Sequence, residues 1–308
     1  MQPPSDPFAK LAILATYGRI VTRAKQASDL KPWGLTRRVP DRGSILAEDD
    51  LRAFELIPEL EDKFLVSSTA VFPAMAATDN ISAIAPLLPH ISNSTSLHSN
   101  AVMNLCRTAM ESAARTIWLL SPKDRETRRQ RTTSLAGKEW HEQTIYFAHA
   151  ANLHKGRISP EAETQRAEHA AQSMQYRDIA EASTTIGFDR PTKAIELAGG
   201  WIDDNPPAHA RQEVAKFGVQ QLAQATYCIT SSTVHGYKWV HEHVGDDGRG
   251  LFNSLADSLA VALVMTESAI ALFEAQSAGE VPSNYPRPIY PDRLERTIRE
   301  WSRAYLDE

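Results

Sequence analysis

The segment that most constrains the fold is residues 97–120, LHSNAVMNLCRTAMESAARTIWLL. When it is projected at 100° per residue, its apolar and small side chains cover more than a third of a helix circumference, which is wider than a surface helix needs. We therefore expect a helix that lies deep inside a helical bundle. The residues on this broad arc are Ala101, Val102, Leu105, Cys106, Ala109, Ala113, Thr116, Ile117, Leu119 and Leu120.

Most of the remaining chain also repeats apolar residues at helical spacing, and alternating β-branched runs between turn signals are scarce. Residues 30–44 are predicted to be a loop, and Ser94 or Ser96 to cap the helix over 97–120. Ser121, followed by Pro122, and Ser159 are predicted to cap the next two helices. Helices are predicted over residues 7–28, 48–88 with breaks at Pro58 and Pro73, 121–153, 160–183, 191–198 at most, 208–243, 250–276 and 291–306.

These patterns predict an all-α fold, a multi-helix bundle with long antiparallel helices, an N-terminal helical hairpin and a C-terminal docked helix. The last helix should pack on the body because it repeats apolar residues along one face, namely Leu294, Ile298, Trp301 and Tyr305. We expect a single domain over residues 1–308. Its parts are an N-terminal helix and basic loop (1–46), a main bundle (47–277), a proline-rich connector (278–290) and a C-terminal strap helix (291–308).

The composition, 42% hydrophobic and 23% charged, is that of a soluble globular protein. A formal net charge of −5 argues against a chain that binds nucleic acid over its whole surface. The charge is unevenly distributed, because residues 1–45 carry eight Lys or Arg against three acids, whereas residues 46–65 carry seven acids against two bases. We expect two solvated surfaces of opposite sign, which could face each other.

The first residues, MQPPSDPFAK, lack the basic start and apolar run of a signal peptide. The longest stretch of low charge is interrupted by prolines and hydroxyl side chains, so it falls short of a transmembrane segment. Cys106 and Cys228 lie in apolar helical stretches, which predicts buried free thiols in a reducing compartment. We expect a cytoplasmic protein without membrane contact.

Three histidines lie in the stretch SSTVHGYKWVHEH, residues 231–243. Two helical residues can share one metal ion when they are three or four positions apart. His235 and His241 are six positions apart, and His241 and His243 are two apart, so we predict no metal site here and no cofactor. His241 and His243 are favoured by the dipole at a helix C-terminus, which is a sufficient reason for their position.

His235 is a candidate in its own right. It lies one turn after Ser231 and one turn before Trp239, and Gly236 next to it leaves room for a close neighbour. One interpretation is a buried histidine that hydrogen-bonds to an adjacent helix. The other is a general acid or base, with Ser231 and Trp239 as candidate ligand-binding residues.

A polar stripe runs along the helix over 97–120 and consists of Asn104, Arg107, Glu111, Arg115 and Trp118. Glu111 is four residues from each arginine, so the stripe could be a row of ion pairs on an exposed face. Alternatively it is a buried, paired network that orients a ligand or an opposing helix. In that case Glu111 is a catalytic candidate, and Arg107, Arg115 and Trp118 are candidate ligand-binding residues.

The sequence KDRETRRQR, residues 123–131, places five basic residues and two acids at the start of a helix. Positive charge in a first turn opposes the helix dipole, so an acidic group should compensate it. That group could be the acidic segment 48–62, a protein partner or a phosphate. Arg125, Arg128 and Arg131 are therefore candidate ligand-binding residues, and the alternative is an internal salt-bridge network or a solvated helix face. RNA binding has weaker support because no aromatic residues alternate with the bases.

Common catalytic and binding motifs do not occur. The chain contains no His-Glu-x-x-His, no Cys-x-x-Cys, no Gly-x-Gly-x-x-Gly, no P-loop and no Gly-x-Ser-x-Gly. No histidine has an acid three residues before it, so the Glu-x-x-His pairs of di-iron bundles are also missing. A site assembled from separate helices would leave no such local pattern.

The segments CRTAMESAARTIWLLSPKDRETRRQR and YCITSSTVHGYKW resemble a loosely defined group of actinobacterial helical proteins. That group has an Arg-x-x-x-Glu helix ending in Trp-Leu-Leu, a following Arg-rich helix and a late Ser-x-x-x-His-Gly. The resemblance covers about half of the chain and implies the helical fold without an activity. The residues on the shared positions are Arg107, Glu111, Trp118, Arg125, Arg128, Ser231 and His235.

A more distant similarity is to HEPN-type helical domains, many of which are ribonucleases in toxin or defence systems. Their catalytic pattern is an arginine, four to six further residues and then a histidine. None of the ten histidines in this chain has an arginine at that spacing, so the similarity implies at most a relative without that active site.

The sequence thus supports three hypotheses. The leading one is a cytoplasmic helical module that binds an unknown protein partner or a small anionic ligand, without a conventional catalytic motif. The second is an enzyme acting on RNA or a nucleotide, with His235, Glu111 and the arginines 125, 128 and 131 brought together from different helices. The third is a structural homo-oligomer, which requires a broad exposed apolar patch, for instance around the C-terminal strap.

Overall fold

A computed structural model of the chain describes residues 7–36, 38–88, 99–188, 190–244, 249–282 and 289–306. Within these ranges the regular structure is helical, apart from one isolated antiparallel bridge between Arg42 and Val281. This confirms the all-α bundle. The α-helices are α1 (Pro7–Ser28), α2 (Lys31–Gly34), α3 (Ile45–Leu56), α4 (Leu65–Ser82), α5 (Ser99–Leu120), α6 (Arg125–His154), α7 (Pro160–Ala182), α8 (Pro191–Asp204), α9 (Arg211–Phe217), α10 (Val219–Val234), α11 (Trp239–Val244), α12 (Arg249–Ser277) and α13 (Glu295–Leu306).

Helix α12 forms the centre of the bundle and packs against α1, α4, α5, α10 and α13. It is long and apolar enough to cross a membrane by length and composition, but 94% of its most apolar window is buried inside the protein. A helix that is apolar on all sides belongs in a core when other helices surround it. Helix α5 is the second core helix and also packs against α4 and α8, as its broad apolar arc predicted.

Helices α6 and α7 form a long antiparallel hairpin. Ser159 caps α7, as predicted, by accepting a hydrogen bond from the N–H of Ala162 at 3.3 Å. The two helices pack on each other along their length, but beyond Gly137 the only buried residue of α6 is Ala150. The outer half of the hairpin therefore extends away from the bundle, and α6 separates from α5 near its own middle.

The C-terminal strap packs on the body as predicted. Leu294, Ile298 and Trp301 are buried, and the ring centroids of Trp301 and Trp201 lie 4.9 Å apart. The hydroxyl of Tyr305 donates a hydrogen bond to the carbonyl oxygen of Ser121 at 2.8 Å. These contacts join α13 to α8, α12 and the end of α5.

The predicted start of α6 and the predicted break at Pro73 need correction. Helix α6 is capped by Asp124, which accepts a hydrogen bond from the N–H of Thr127 at 2.7 Å, so Ser121 does not start it. Pro73 does not break α4, because the helix continues from Leu65 to Ser82. The missing N–H of Pro73 would have bonded the Thr69 carbonyl, and next to that carbonyl the Thr116 hydroxyl of α5 donates to the Ala70 carbonyl oxygen at 2.8 Å, which joins α5 to this turn of α4. The predicted break at Pro58 is confirmed.

The predicted helix over 208–243 is instead three helices. Gly218 and Gly236 separate them, with φ angles of 64° and 67° that most other residues avoid. Helix α8 is longer than the predicted 191–198, because it includes Gly199 and Gly200 in its last turns. The predicted loop over 30–44 contains the short helix α2, whose Trp33 is fully buried.

Some predictions fall outside the described residues. These are Ser94 and Ser96 as caps, the middle of the proline-rich connector, and the side chains of His241 and His243. Cys106 is buried as predicted, and burial raises the pKa of its thiol to about 12. Cys228 is exposed, so its predicted burial was wrong.

Candidate ligand-binding groove

The basic start of α6 is compensated within the chain. Asp49, whose side chain is completely buried, accepts from Arg128 Nε at 2.6 Å and from Arg125 Nε at 2.9 Å. Arg128 Nη1 also donates to the carbonyl oxygens of Pro122 and Lys123, which follow the end of α5. The compensating acid therefore comes from the 48–62 segment, the first of the three sources that the sequence left open, and Arg125 and Arg128 each have an internal partner.

Arg131 occupies a different environment. Its guanidinium lies 4.9 Å from the ring centroid of Trp118 and donates hydrogen bonds to the Trp118 carbonyl oxygen and the Ser121 hydroxyl. Among the described carboxylates none forms an ion pair with it, and burial lowers its pKa below the usual value. Free carbonyls at the C-terminus of α5 hold this cation through the negative end of the helix dipole.

The polar stripe of α5 divides into two parts. Arg107 Nε donates to Glu111 Oε1 at 2.8 Å, and the hydroxyl of Tyr227, on α10, donates to the same oxygen at 2.9 Å. The Arg107 guanidinium also lies 5.2 Å from the Tyr227 ring centroid. All three side chains are partly buried, and burial together with the Glu111 charge raises the pKa of Tyr227. This network joins α5 to α10, and Arg115 takes no part in it.

His235 is exposed, which argues against its interpretation as a buried histidine bonded to an adjacent helix. It ends α10, and the following Gly236 adopts the left-handed conformation of a Schellman cap. The N–H groups of Gly236 and Tyr237 donate to the carbonyl oxygens of Thr233 and Ser232, at 3.2 and 3.0 Å. A side chain at Gly236 would meet no neighbour within 4 Å, so backbone conformation, and not close packing, requires this glycine.

The other candidates around His235 are not drawn towards Glu111. The His235 ring stacks obliquely on Tyr237, with centroids 5.6 Å apart. Ser231 is half-buried and Trp239 is 40% exposed. Glu111 contacts Tyr227, which precedes His235 by eight residues, or about 12 Å along α10. No contact among the described residues brings His235 and Glu111 together.

A large groove opens where α6 separates from the bundle. Its volume is about 770 Å³, and α4, α5 and α6 line it. One face of α4 forms the first wall, because its lining residues recur at helical spacing. The α4 residues are Leu65, Ser68, Thr69, Phe72, Pro73 and Ala76, and the residues from the other elements are Asp62, Ser112, Arg115, Leu135, Ala136, Lys138, Glu139, Trp140 and Glu142.

Two cations meet one aromatic ring at the edge of this groove. The Arg115 guanidinium lies 6.0 Å from the ring centroid of Phe188, and Lys138 Nζ lies 5.1 Å from it. The edge of the Trp118 ring packs on the same phenyl ring, with centroids 5.1 Å apart. Neither Arg115 nor Lys138 forms an ion pair with a described carboxylate, and both are exposed, so their charges remain available to a ligand.

The groove is amphipathic. Phe72 and Trp140 offer aromatic surface, with Leu135 and Pro73 between the helices. Its acids, Asp62, Glu139 and Glu142, belong to the turn before α4 and to α6. Arg115, from α5, is the one arginine among the lining residues. The arrangement can hold a molecule that has an apolar body and an anionic group near Arg115 and Lys138.

Sequence analysis identified Arg115 and Trp118 but missed Lys138, Phe188, Phe72 and Trp140. No spacing along the chain relates α4, the middle of α6 and the segment before α8. The available signal was the presence of the aromatic residues themselves, Phe72 in α4 and Trp140 in α6. Only the packing of these helices shows that the groove exists.

Two further polar clusters have structural roles. Asp50, on α3, accepts from the N–H groups of Val66 and Ser67 at 2.8 and 2.9 Å and so caps α4 from a neighbouring helix. Burial raises the pKa of Asp50 to about 7, against the effect of these hydrogen bonds. Glu267, on α12, pairs with His209 at 2.9 Å and with Arg293 at 2.7 Å, which ties α12 to the strap.

Within the described ranges, no three His, Cys, Asp or Glu side chains are grouped closely enough to hold a metal ion. Comparisons with protein families, with curated proteins and with solved structures find no match for this chain.

Proposed function

We propose that this protein is a cytoplasmic helical module that binds a small organic anion in the groove between α4, α5 and α6. The observation that carries the proposal is the pair of exposed cations, Arg115 and Lys138, which have no carboxylate partner among the described residues and flank Phe188 at the edge of the groove. At the start of α6, Arg125 and Arg128 pair with Asp49, and Arg131 donates to the carbonyl oxygen of Trp118.

The size and chemistry of the groove support a ligand of moderate size. A volume of about 770 Å³ lies in the range of small-molecule sites, roughly 300–1,000 Å³. An exposed arginine can bind a carboxylate or phosphate with two hydrogen bonds, and lysine adds a point charge. Phe72 and Trp140 can cover an apolar or aromatic body.

Binding of phenyl phosphate tests this proposal, because the probe combines an apolar ring with an anion. We expect calorimetric titration to detect binding to the wild-type protein, and inorganic phosphate and phenol to bind more weakly because each lacks one half of the probe. Arg115→Gln should weaken phenyl phosphate binding roughly tenfold, the loss of one charge-assisted contact.

The matched control is Arg52→Gln, which removes an exposed arginine on α3 that already pairs with Glu55. This control should leave the affinity unchanged. Equal affinities of wild type and Arg115→Gln, or equal losses in both variants, would overturn the assignment of the site.

The two alternatives from the sequence have less support. An RNA-processing, HEPN-like activity depended on Arg125, Arg128 and Arg131, whose contacts lie within the protein, and on His235 acting together with Glu111. A homo-oligomer formed through the strap requires an exposed apolar patch there. In α13 Leu306 is the one large apolar residue that is exposed, whereas α1 exposes four.

A further inference from the structure

Helix α1 has two apolar faces, and the residues that the structure describes cover only one of them. Its buried face consists of Thr16, Ile20, Ala24 and Ala27 and packs on α12. Elsewhere the helix exposes four large apolar side chains. Their exposed fractions are 80% for Phe8, 63% for Leu11, 63% for Leu14 and 41% for Val21.

Three of these side chains, Leu11, Leu14 and Val21, form a strip along the helix. At 100° per residue, Leu11, Leu14, Gly18 and Val21 fall within an arc of about 80°, centred nearly opposite the buried face. An ordinary surface helix would have polar residues on this arc. Full burial of one leucine side chain shifts an equilibrium constant tenfold or more. An exposed strip of several such side chains therefore indicates a binding surface.

The charge of α1 indicates the chemistry of what covers this strip. The helix contains Lys10, Arg19, Arg23 and Lys25 and no acidic residue. Arg23 turns inwards and pairs with Glu213, whereas Lys10, Arg19 and Lys25 are exposed. In the same projection Lys10 lies at one border of the strip, Arg19 beyond the other, and Lys25 within the arc, one turn after Val21.

We propose that this face of α1 docks on the surface of an anionic lipid bilayer. An apolar strip with cations at its borders suits the interface, where leucines enter the acyl region and lysine and arginine reach the headgroups. Each cation near an anionic leaflet adds to the attraction. A second copy of the chain is a poorer occupant, because two such helices would bring cations together without an acid between them.

This interaction needs no spanning segment. The sequence-based expectation of no membrane contact rested on the lack of one, and α12, the one described helix apolar enough to span, is buried. The strip lies on the N-terminal part of α1. Helix α1 runs parallel to α12, because Thr16 contacts Asn253 near the start of α12. Farther along both helices, Arg293 donates to Gln26 of α1 and to Glu267 of α12. Leu11 and Phe8 thus extend to or beyond the first turn of α12 and can enter an interface without disturbing the bundle.

Flotation of the full chain with lipid vesicles tests the proposal. We expect binding to vesicles of phosphatidylcholine with one quarter phosphatidylserine, little binding to pure phosphatidylcholine, and release at high salt because screening weakens the charge contribution. The double variant Leu11→Ser with Leu14→Ser should lower the partition coefficient at least about tenfold. Lys10→Gln with Lys25→Gln should lower it only on anionic vesicles.

The matched control is Leu153→Ser with Leu197→Ser, which removes two exposed leucines from α6 and α8. The control should bind vesicles like the wild type, and all variants should keep the helical circular dichroism signal because the altered side chains are exposed. Failure to bind anionic vesicles, or equal losses in the control, would overturn the proposal. Self-association of the wild type that disappears in Leu11→Ser with Leu14→Ser would show that a second copy covers the strip instead.

Discussion

At the scale of single residues, two buried arginines, Arg38 and Arg128, are paired with carboxylates of the same chain. Arg38 and Asp41 are almost completely buried, and Arg38 also contacts Glu274 on α12 at 3.4 Å. Asp49, which is also buried, pairs with Arg128 at the start of α6. Because an isolated buried charge is costly, each of these partners should matter more than any exposed pair.

Asp49→Ala should destabilise the fold by about 3–5 kcal/mol, because it leaves Arg128 buried without its carboxylate. Chemical denaturation measures this difference. Glu55→Ala is the control, since its partner Arg52 is exposed, and it should cost less than about 1 kcal/mol. Similar losses for the two variants would contradict the assigned role of Asp49.

Asp50 should make stability depend on pH. Its pKa is raised from 3.8 to about 7 in the folded protein, so folding favours the protonated carboxyl. That stabilisation is complete below about pH 4 and is lost as the pH rises through about 7, by up to about 4 kcal/mol.

Asp50→Asn provides the comparison, because its carbonyl oxygen can still accept from Val66 and Ser67 but cannot titrate. Measured by denaturation between pH 4 and pH 8, the stability of the wild type relative to this variant should fall. A difference that stays constant over this range would refute the raised pKa.

At single residues, the sequence showed that a charge needs a partner, but it did not show which residue is the partner when that residue is distant along the chain. The charge pattern of residues 123–131 correctly required a compensating acid, and 48–62 was among its possible sources, yet Asp49 could not be singled out from seven acids. Gly236 was attributed to close packing, whereas a cap explains it. The burial of Asp50 depends on the contact between α3 and α4, which no spacing encodes.

At the scale of elements, glycines decide where helices end and how closely they cross. A methyl group at Gly199 would lie 2.6 Å from the Cα of Gln220, so α8 and α10 touch backbone to backbone. The neighbouring Gly200 has room, because a methyl group there would approach only the Gln220 side chain, at 3.5 Å.

Gly199→Ala should therefore destabilise the protein by about 1–3 kcal/mol, because α8 must move away from α10. Gly200→Ala should be neutral or stabilising by up to about 1 kcal/mol, since alanine favours a helix and no backbone is in the way. Thermal unfolding of the two variants gives both values. Equal effects would mean that the crossing is not as close as described.

Helix positions were predictable because apolar spacing and cap residues are local signals. Helix α1 has the predicted bounds, and α7 begins at its predicted serine cap. The errors arose where tertiary packing outweighs propensity. Pro73 stays inside α4, the glycines of α8 stay inside a helix, and Gly218 divides a segment whose apolar pattern is continuous.

At the scale of the whole molecule, the strap joins elements that are distant in sequence. Trp301→Ala should cost about 3–5 kcal/mol, because its buried ring packs on Trp201. Leu306→Ala, in the exposed last turn of α13, should change stability by less than about 0.5 kcal/mol. Calorimetry should show one cooperative transition in both variants; a strap that melts separately without loss of core stability would contradict this view.

The groove is likewise a property of the whole molecule. Sequence patterns predicted a bundle and identified two residues at or near the groove, Arg115 and Trp118, as candidate ligand-binding residues. They could not predict that α6 leaves the bundle beside α4, because that depends on how the α6–α7 hairpin packs. The cations became candidates for ligand binding only when the structure showed Arg115 and Lys138 beside Phe188 without an ion pair to a described carboxylate.

The most direct test of the proposed function is a nuclear magnetic resonance titration of the six tryptophan indole N–H signals with phenyl phosphate. Trp140 lines the groove, whereas Trp33 and Trp301 are buried elsewhere, so the Trp140 signal, assigned with Trp140→Phe, should shift most. Arg115→Gln should reduce that shift at equal ligand concentration. A titration that moves the Trp239 signal and leaves Trp140 unchanged would contradict a ligand site in the groove.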